Sequence, residues 1–117
     1  MHVLRIGFSN HPEGDRDVTV YTPAETIFVW VEDVDMVAWD PDILFTFVLT
    51  QRDPSGNVLH RQTAELAPDD RQAFYGQMPL ERFSPGVVQV DIVGSARGAV
   101  VLYRSSWLNV YQSIGQP

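Results

Sequence analysis

The residues that could do chemistry fall into three groups. The first is acidic: Glu32, Asp33, Asp35, Asp40 and Asp42 lie in one stretch of eleven residues. Hard oxygen ligands gathered in a loop suit Ca²⁺, so these five are the candidate metal ligands. Their spacing matches no EF-hand, because the central Gly and the distal Glu are missing. The plain expectation is a solvated acidic loop and no cofactor, with structural calcium as the alternative. Asp33 with Asp35, or Asp40 with Asp42, would have to hold one carboxyl at a raised pKa to act as an acid–base pair. No pocket signature surrounds them.

The second group is the imidazoles. His2, His11 and His60 stand apart, and none has the i, i+4 spacing of a zinc-binding helix. They read as surface or edge residues. There is no Gly-x-Ser-x-Gly nucleophile elbow and no glycine-rich phosphate loop. Cys is absent and all eight basic residues are Arg. That removes thiolate chemistry, disulfides and a lysine Schiff base. The chain is therefore not expected to be an enzyme.

The third group is aromatic: Trp30, Trp39, Trp107, Tyr75, Tyr103 and Tyr111. Flat rings near Asp, Asn, Gln and Arg can stack on sugars and bond their hydroxyls. A carbohydrate-binding β-sandwich module is thus one reading. The same ring types anchor protein interfaces.

The elements that must position these groups are strands. Valine alone contributes sixteen residues, and β-branched side chains fit a pleated surface better than a helix. Pro and Gly cut the chain into strand-length apolar runs, the pattern of a sandwich or barrel. Strands are predicted over residues 2–8, 18–22, 26–34, 43–52, 58–66, 73–78 and 86–93. A last one covers 99–103 and continues to 111, bent near Ser105 and Ser106. Residues 53–57 and 94–98 are the hairpin turns. Only 68–74 reads as a possible helical turn, with Pro68 at its first position.

With 117 residues, 44% of them hydrophobic, the chain suits one domain with a packed core. A net charge of −7 with singly scattered Arg argues against nucleic acid and anionic membranes. No charged leader precedes a long apolar run, and no stretch approaches the ~18 apolar residues of a membrane span. Synthesis in the cytoplasm without a signal or spanning segment is expected.

Three stretches resemble immunoglobulin-like β-sandwiches, including fibronectin type III-like and macroglobulin-like modules. Tyr21-Thr22-Pro23-Ala24-Glu25-Thr26-Ile27 is similar to the turn into their second strand. Leu49-Thr50-Gln51-Arg52-Asp53-Pro54-Ser55-Gly56-Asn57-Val58-Leu59 is similar to a hairpin of such domains. Phe83-Ser84-Pro85-Gly86-Val87-Val88-Gln89-Val90 is similar to the turn into their penultimate strand, although Val stands where an aromatic is frequent. The resemblance covers roughly residues 18–111. It implies an all-β, Ig-like antiparallel β-sandwich of about seven to nine strands, a single domain over 1–117. A sandwich carries no function of its own.

Alternation assigns the faces. Ile27, Val29, Val31, Phe45, Phe47, Leu49, Val88, Val90, Ile92, Val101 and Tyr103 are the predicted core. Phe28, Trp30, Leu44 and Val48 are left on the outer face of strands that look adjacent, with Trp107 and Tyr111 joining from the last strand. An exposed apolar patch of this kind marks an interface. These six are the candidate partner-binding residues, and Arg104, Glu32 and Asp91 are rim charges that select orientation. The expected function is that of a non-catalytic structural or interaction subunit. Its partner would be itself or a larger assembly, such as a virion or tail-like particle.

Overall fold

The computed structural model describes residues 4–13, 17–33, 42–68 and 73–111. Eight strands form in chain order: β1 (Leu4–Ser9), β2 (Val20–Tyr21), β3 (Thr26–Asp33), β4 (Leu44–Arg52), β5 (Val58–Pro68), β6 (Ala73–Pro79), β7 (Gly86–Ala96) and β8 (Ala99–Val110). No helix occurs among the described residues. Pro68, Ala73 and Phe74, read from sequence as part of a helical turn, are strand residues. Residues 69–72 lie outside the described set.

The turns follow from local chemistry. The Asp53 carboxylate accepts hydrogen bonds from the backbone N–H groups of Ser55 and Asn57, both at 2.9 Å. That fixes the β4–β5 turn as an Asx-type structure. Between β7 and β8 only Arg97 and Gly98 remain outside the strands, with φ of 54° and 81°. Two consecutive positive φ values make the tight hairpin that matches strand twist. The Glu25 carboxylate closes the turn before β3, accepting from the Thr22 N–H and from Asn10 Nδ2, both at 2.7 Å.

The eight strands are hydrogen-bonded in the order β1-β3-β6-β5-β4-β7-β8-β2. All named pairings are antiparallel except β2 with β8. The result is one curled mixed sheet, a half-barrel. The all-β expectation holds, whereas two separate sheets are not what the pairing gives. The continuity comes from β5, which pairs β4 along most of its length and, among the described residues, β6 only at Ala67 and Pro68.

The curl gathers one face of every long strand into a common core. Ile27, Val29 and Val31 from β3 meet Phe45, Phe47 and Leu49 from β4 and Val88, Val90 and Ile92 from β7. The Phe45 and Phe74 rings touch at 4.6 Å between centroids, although β5 separates their strands. Burying each large side chain contributes about 1.5–3 kcal/mol. Gly76 permits the close approach of β6. A Cβ there would lie 2.6 Å from Leu66 Cδ2 and 2.9 Å from the Glu65 carbonyl oxygen.

Two predicted core residues point the other way. Val101 and Tyr103 are exposed, and β8 instead buries Leu108 and Val110. The cause is parity: β8 is regularly paired with β7 from Leu102 to Val110, so Tyr103 shares the outward face of Trp107. Val101 is an extra residue on β8, since Gly94 pairs Leu102 and Ser95 pairs Val100, and it too is exposed. Nor does β8 bend at Ser105 and Ser106; it runs unbroken.

Candidate interaction face

Among the described residues, the outer side of β7 and β8 gathers exposed rings and branched chains. Alternation from the buried Leu108 and Val110 turns Tyr103, Ser105, Trp107 and Asn109 outward. Trp107 is 59% exposed and Tyr103 52%. Asn109 pairs Val87 on one side and Val20 on the other. Both valines are exposed, as is Tyr111 at the end of the strand. Val20, Val87, Trp107 and Tyr111 therefore surround one backbone position.

Between Trp107 and Tyr103 the face is polar and internally bonded. Arg52 Nη1 donates to Gln89 Oε1 at 2.7 Å. Gln89 Nε2 donates to Asp91 Oδ1 at 3.0 Å, and the Tyr103 hydroxyl donates to the same oxygen at 2.6 Å. The bond to the Asp91 carboxylate pushes the Tyr103 phenol up, because it favours the protonated form. This ladder fixes its side chains across three strands before any ligand arrives.

A second feature lies on the inner side of the same strand. Among the described residues, β2 covers the open edge of β8 only at Asn109 and Val110. Upstream of these, β8 faces a cleft of about 210 Å³ lined by Ile6, Phe8, Val90, Ile92, Arg104, Ser105 and Ser106. Its bottom is apolar, and Arg104 is its one charged group. The guanidinium turns back, Nη1 donating to the carbonyl oxygen of Tyr103 at 2.9 Å.

The six candidate partner-binding residues do not form one patch. Phe28 and Trp30 point away from the core, as expected, but are only 9% and 5% exposed. They pack with Tyr75, whose ring lies 6.1 Å from Phe28 and 5.3 Å from Trp30. Arg5, Asp17 and Glu32 stand around Trp30. The outer face of β3 is thus a second, minor core and not an exposed surface. Moreover β6 and β5 lie between β3 and β4, so the strands that looked adjacent are not. Leu44 is 67% exposed at the start of β4, and Val48 is half-buried. Trp107 and Tyr111 remain together on the β8 face. Sequence reasoning missed Val20 and Val87 there, and it placed Tyr103 inside. The exposure of Tyr103 follows from β8 running unbroken through Ser105 and Ser106, where the sequence reading places a bend.

Of the acidic candidates, Glu32 lies near the end of β3 beside Trp30, and Asp42 lies 3.7 Å from Arg97. Asp35, Asp40 and the side chain of Asp33 lie outside the described residues, as do His2 and Trp39. Among the described residues no group of three or more His, Cys, Asp or Glu is placed to hold a metal. His60 bonds Gln62 at 3.1 Å and sets its ring edge-on to Phe83. No helix among the described residues is long and apolar enough to cross a membrane.

No family model matches the chain, and no curated protein matches it.

Proposed function

We propose that this chain is a non-catalytic interaction subunit that binds a protein partner, foremost another copy of itself, through the outer face of β7 and β8. The observation that carries the reading is the cluster of Val20, Val87, Trp107 and Tyr111 around Asn109, left in solvent beside a pre-bonded polar ladder. Large rings of this kind are the commonest interface anchors, and ordered polar groups at the rim set orientation. Trp107→Ala tests it. The side chain is mostly in water, so monomer stability should move by no more than about 0.5 kcal/mol. Self-association measured by sedimentation at micromolar concentration should weaken at least about tenfold, the usual result for a hot spot. Unchanged association in Trp107→Ala would refute the assignment.

We also infer an Ig-like arrangement from the change of partner within β5, which leaves β1-β3-β6 and β4-β7-β8 curled toward each other over one core. The β8 face is then the outside of the larger half.

A second reading draws on one observation. Trp107 and Tyr103 flank a hydrogen-bonded row of Gln89, Asp91 and Ser105, an arrangement that suits a carbohydrate. A tryptophan fluorescence titration with a soluble glycan series separates the two, since self-association alone gives no response to sugar.

A further inference from the structure

The edge of β8 beside the Arg104 cleft has main-chain groups whose direction can be read from its covered end. The N–H of Asn109 donates to the Thr19 carbonyl and that of Tyr111 to the Tyr21 carbonyl, each at 2.8 Å. In a strand, backbone groups two residues apart point the same way. The N–H and C=O groups of Tyr103 and Ser105 therefore point away from β7, and among the described residues no strand pairs them. Leu102, Arg104 and Ser106 project to the inner side with the buried Leu108 and Val110.

The cleft itself discriminates among occupants. Its volume of about 210 Å³ is below the roughly 300–1,000 Å³ that holds a drug-sized molecule. It does offer room for side chains, over the apolar floor of Ile6, Phe8, Val90 and Ile92. A main chain with unmet groups next to such room suits an extended peptide. The peptide backbone takes the edge, and its alternate side chains enter the cleft. Charge narrows the choice further. Arg104 is the one charged residue of the lining, and its Nη1 donates to the Tyr103 carbonyl at 2.9 Å. An added strand brings an N–H to that same carbonyl. A carboxylate facing Arg104 then gives the guanidinium a stronger, charge-assisted partner. A basic residue in the same place meets a like charge.

We propose that the edge of β8 over residues 102–106 receives an extended acidic peptide segment of a partner protein as an added antiparallel strand. Its acidic residue stands opposite Arg104, and apolar residues stand opposite Leu102 and Ser106. In this register Tyr103 and Ser105 each exchange two main-chain hydrogen bonds with the residue facing them. The added strand ends opposite Ser106, short of the place beside Asn109 and Val110 that β2 holds. This site lies on the edge and inner side of β8. It is separate from the outer face through which self-association is proposed.

The probe is the blocked pentapeptide acetyl-Val-Thr-Glu-Thr-Val-amide, titrated into the full chain and followed by amide NMR. The Tyr103 and Ser105 amides should shift and exchange more slowly. Those of Arg104 and Ser106, which point to β7, should keep their protection. Lys in place of the peptide's Glu should weaken binding at least about tenfold. Arg104 is exposed, so Arg104→Glu should fold normally and reverse that preference. Methylation of the two threonine main-chain nitrogens removes the donors that face β8 and should abolish binding. Equal binding of the Glu and Lys peptides overturns the proposal, as does undiminished binding of the methylated one. So does the absence of any shift at millimolar peptide. Sedimentation of the wild-type chain without peptide reports self-association separately, so either reading can fail while the other stands.

Discussion

Gly76→Ala is the sharpest test of how the sheet closes. Gly76 sits on the inner side of β6, where a Cβ would lie 2.6 Å from Leu66 Cδ2, 2.9 Å from the Glu65 carbonyl oxygen and 3.1 Å from Phe47 Cε1. The Leu66 methyl sits at the end of a flexible side chain and can swing. The Glu65 oxygen belongs to β5 and moves only with its strand. The Phe47 ring is held in a fully buried core. Forcing a methyl into such a site costs about 1–3 kcal/mol. The lower backbone entropy of Ala in the unfolded chain returns about 0.4–1 kcal/mol. The net expectation is a loss of about 1–2 kcal/mol. For 117 residues, an unfolding entropy of about 2.1 cal/mol/K per residue makes this a Tm drop of roughly 4–8 °C. Urea unfolding followed by tryptophan fluorescence, with calorimetry, measures both. An Ala variant as stable as the parent would mean that β6 does not approach β5 and β4 this closely, and the curl would need redrawing.

Two further outcomes follow from single side chains. Gln51 is buried, its Nε2 donating to the Ser84 carbonyl at 2.6 Å and its Oε1 accepting from the Ser84 N–H at 3.0 Å; Gln51→Leu should cost about 0.5–1.5 kcal/mol in denaturant unfolding by removing the paired bonds to Ser84, and a neutral result would refute the clamp. Asp53 has its carboxyl held below the usual carboxylate range, first by the Asn57 backbone bond. A depressed folded pKa means its contribution is whole above the ordinary value of about 3.9 and fades as pH falls through the lower folded value. Amide NMR shifts of Ser55 and Asn57 should follow that titration, and those in Asp53→Asn should not.

Much of the fold was legible because local chemistry and global packing agree. Asp53 and Gly56 announce the β4–β5 turn, and Phe45, Phe47 and Leu49 alternate cleanly onto the core face. The errors arose where a strand runs on through an expected bend or where neighbours are set by topology. A bend expected at Ser105 and Ser106 separates Tyr103 from Trp107 in the sequence reading, but β8 runs through both serines and gives the two rings one outward face. Trp30 and Phe28 were correctly placed opposite Ile27, Val29 and Val31. Their burial depends on Tyr75, which lies on β6, beside β3 in the sheet but far along the chain. Sequence alternation assigns a face, but it does not say which strand lies next door. The interaction face shares this limit, since Val20 and Val87 meet only across Asn109.

The narrow join within β5 bears on how the molecule breathes. Among the described residues, continuity between β5 and β6 rests on Ala67 with Tyr75 and Pro68 with Phe74, and Pro68 has no N–H to donate. A ladder that thin is where amide protection should be lost first, so the chain should exchange hydrogen as two cooperative units rather than one. Opening at that join would expose the β6 amides that face β5, while those bonded to β3 and the ladders of β4, β7 and β8 stay locked. The surface that carries Trp107 would then outlast fluctuations that loosen the other half of the fold.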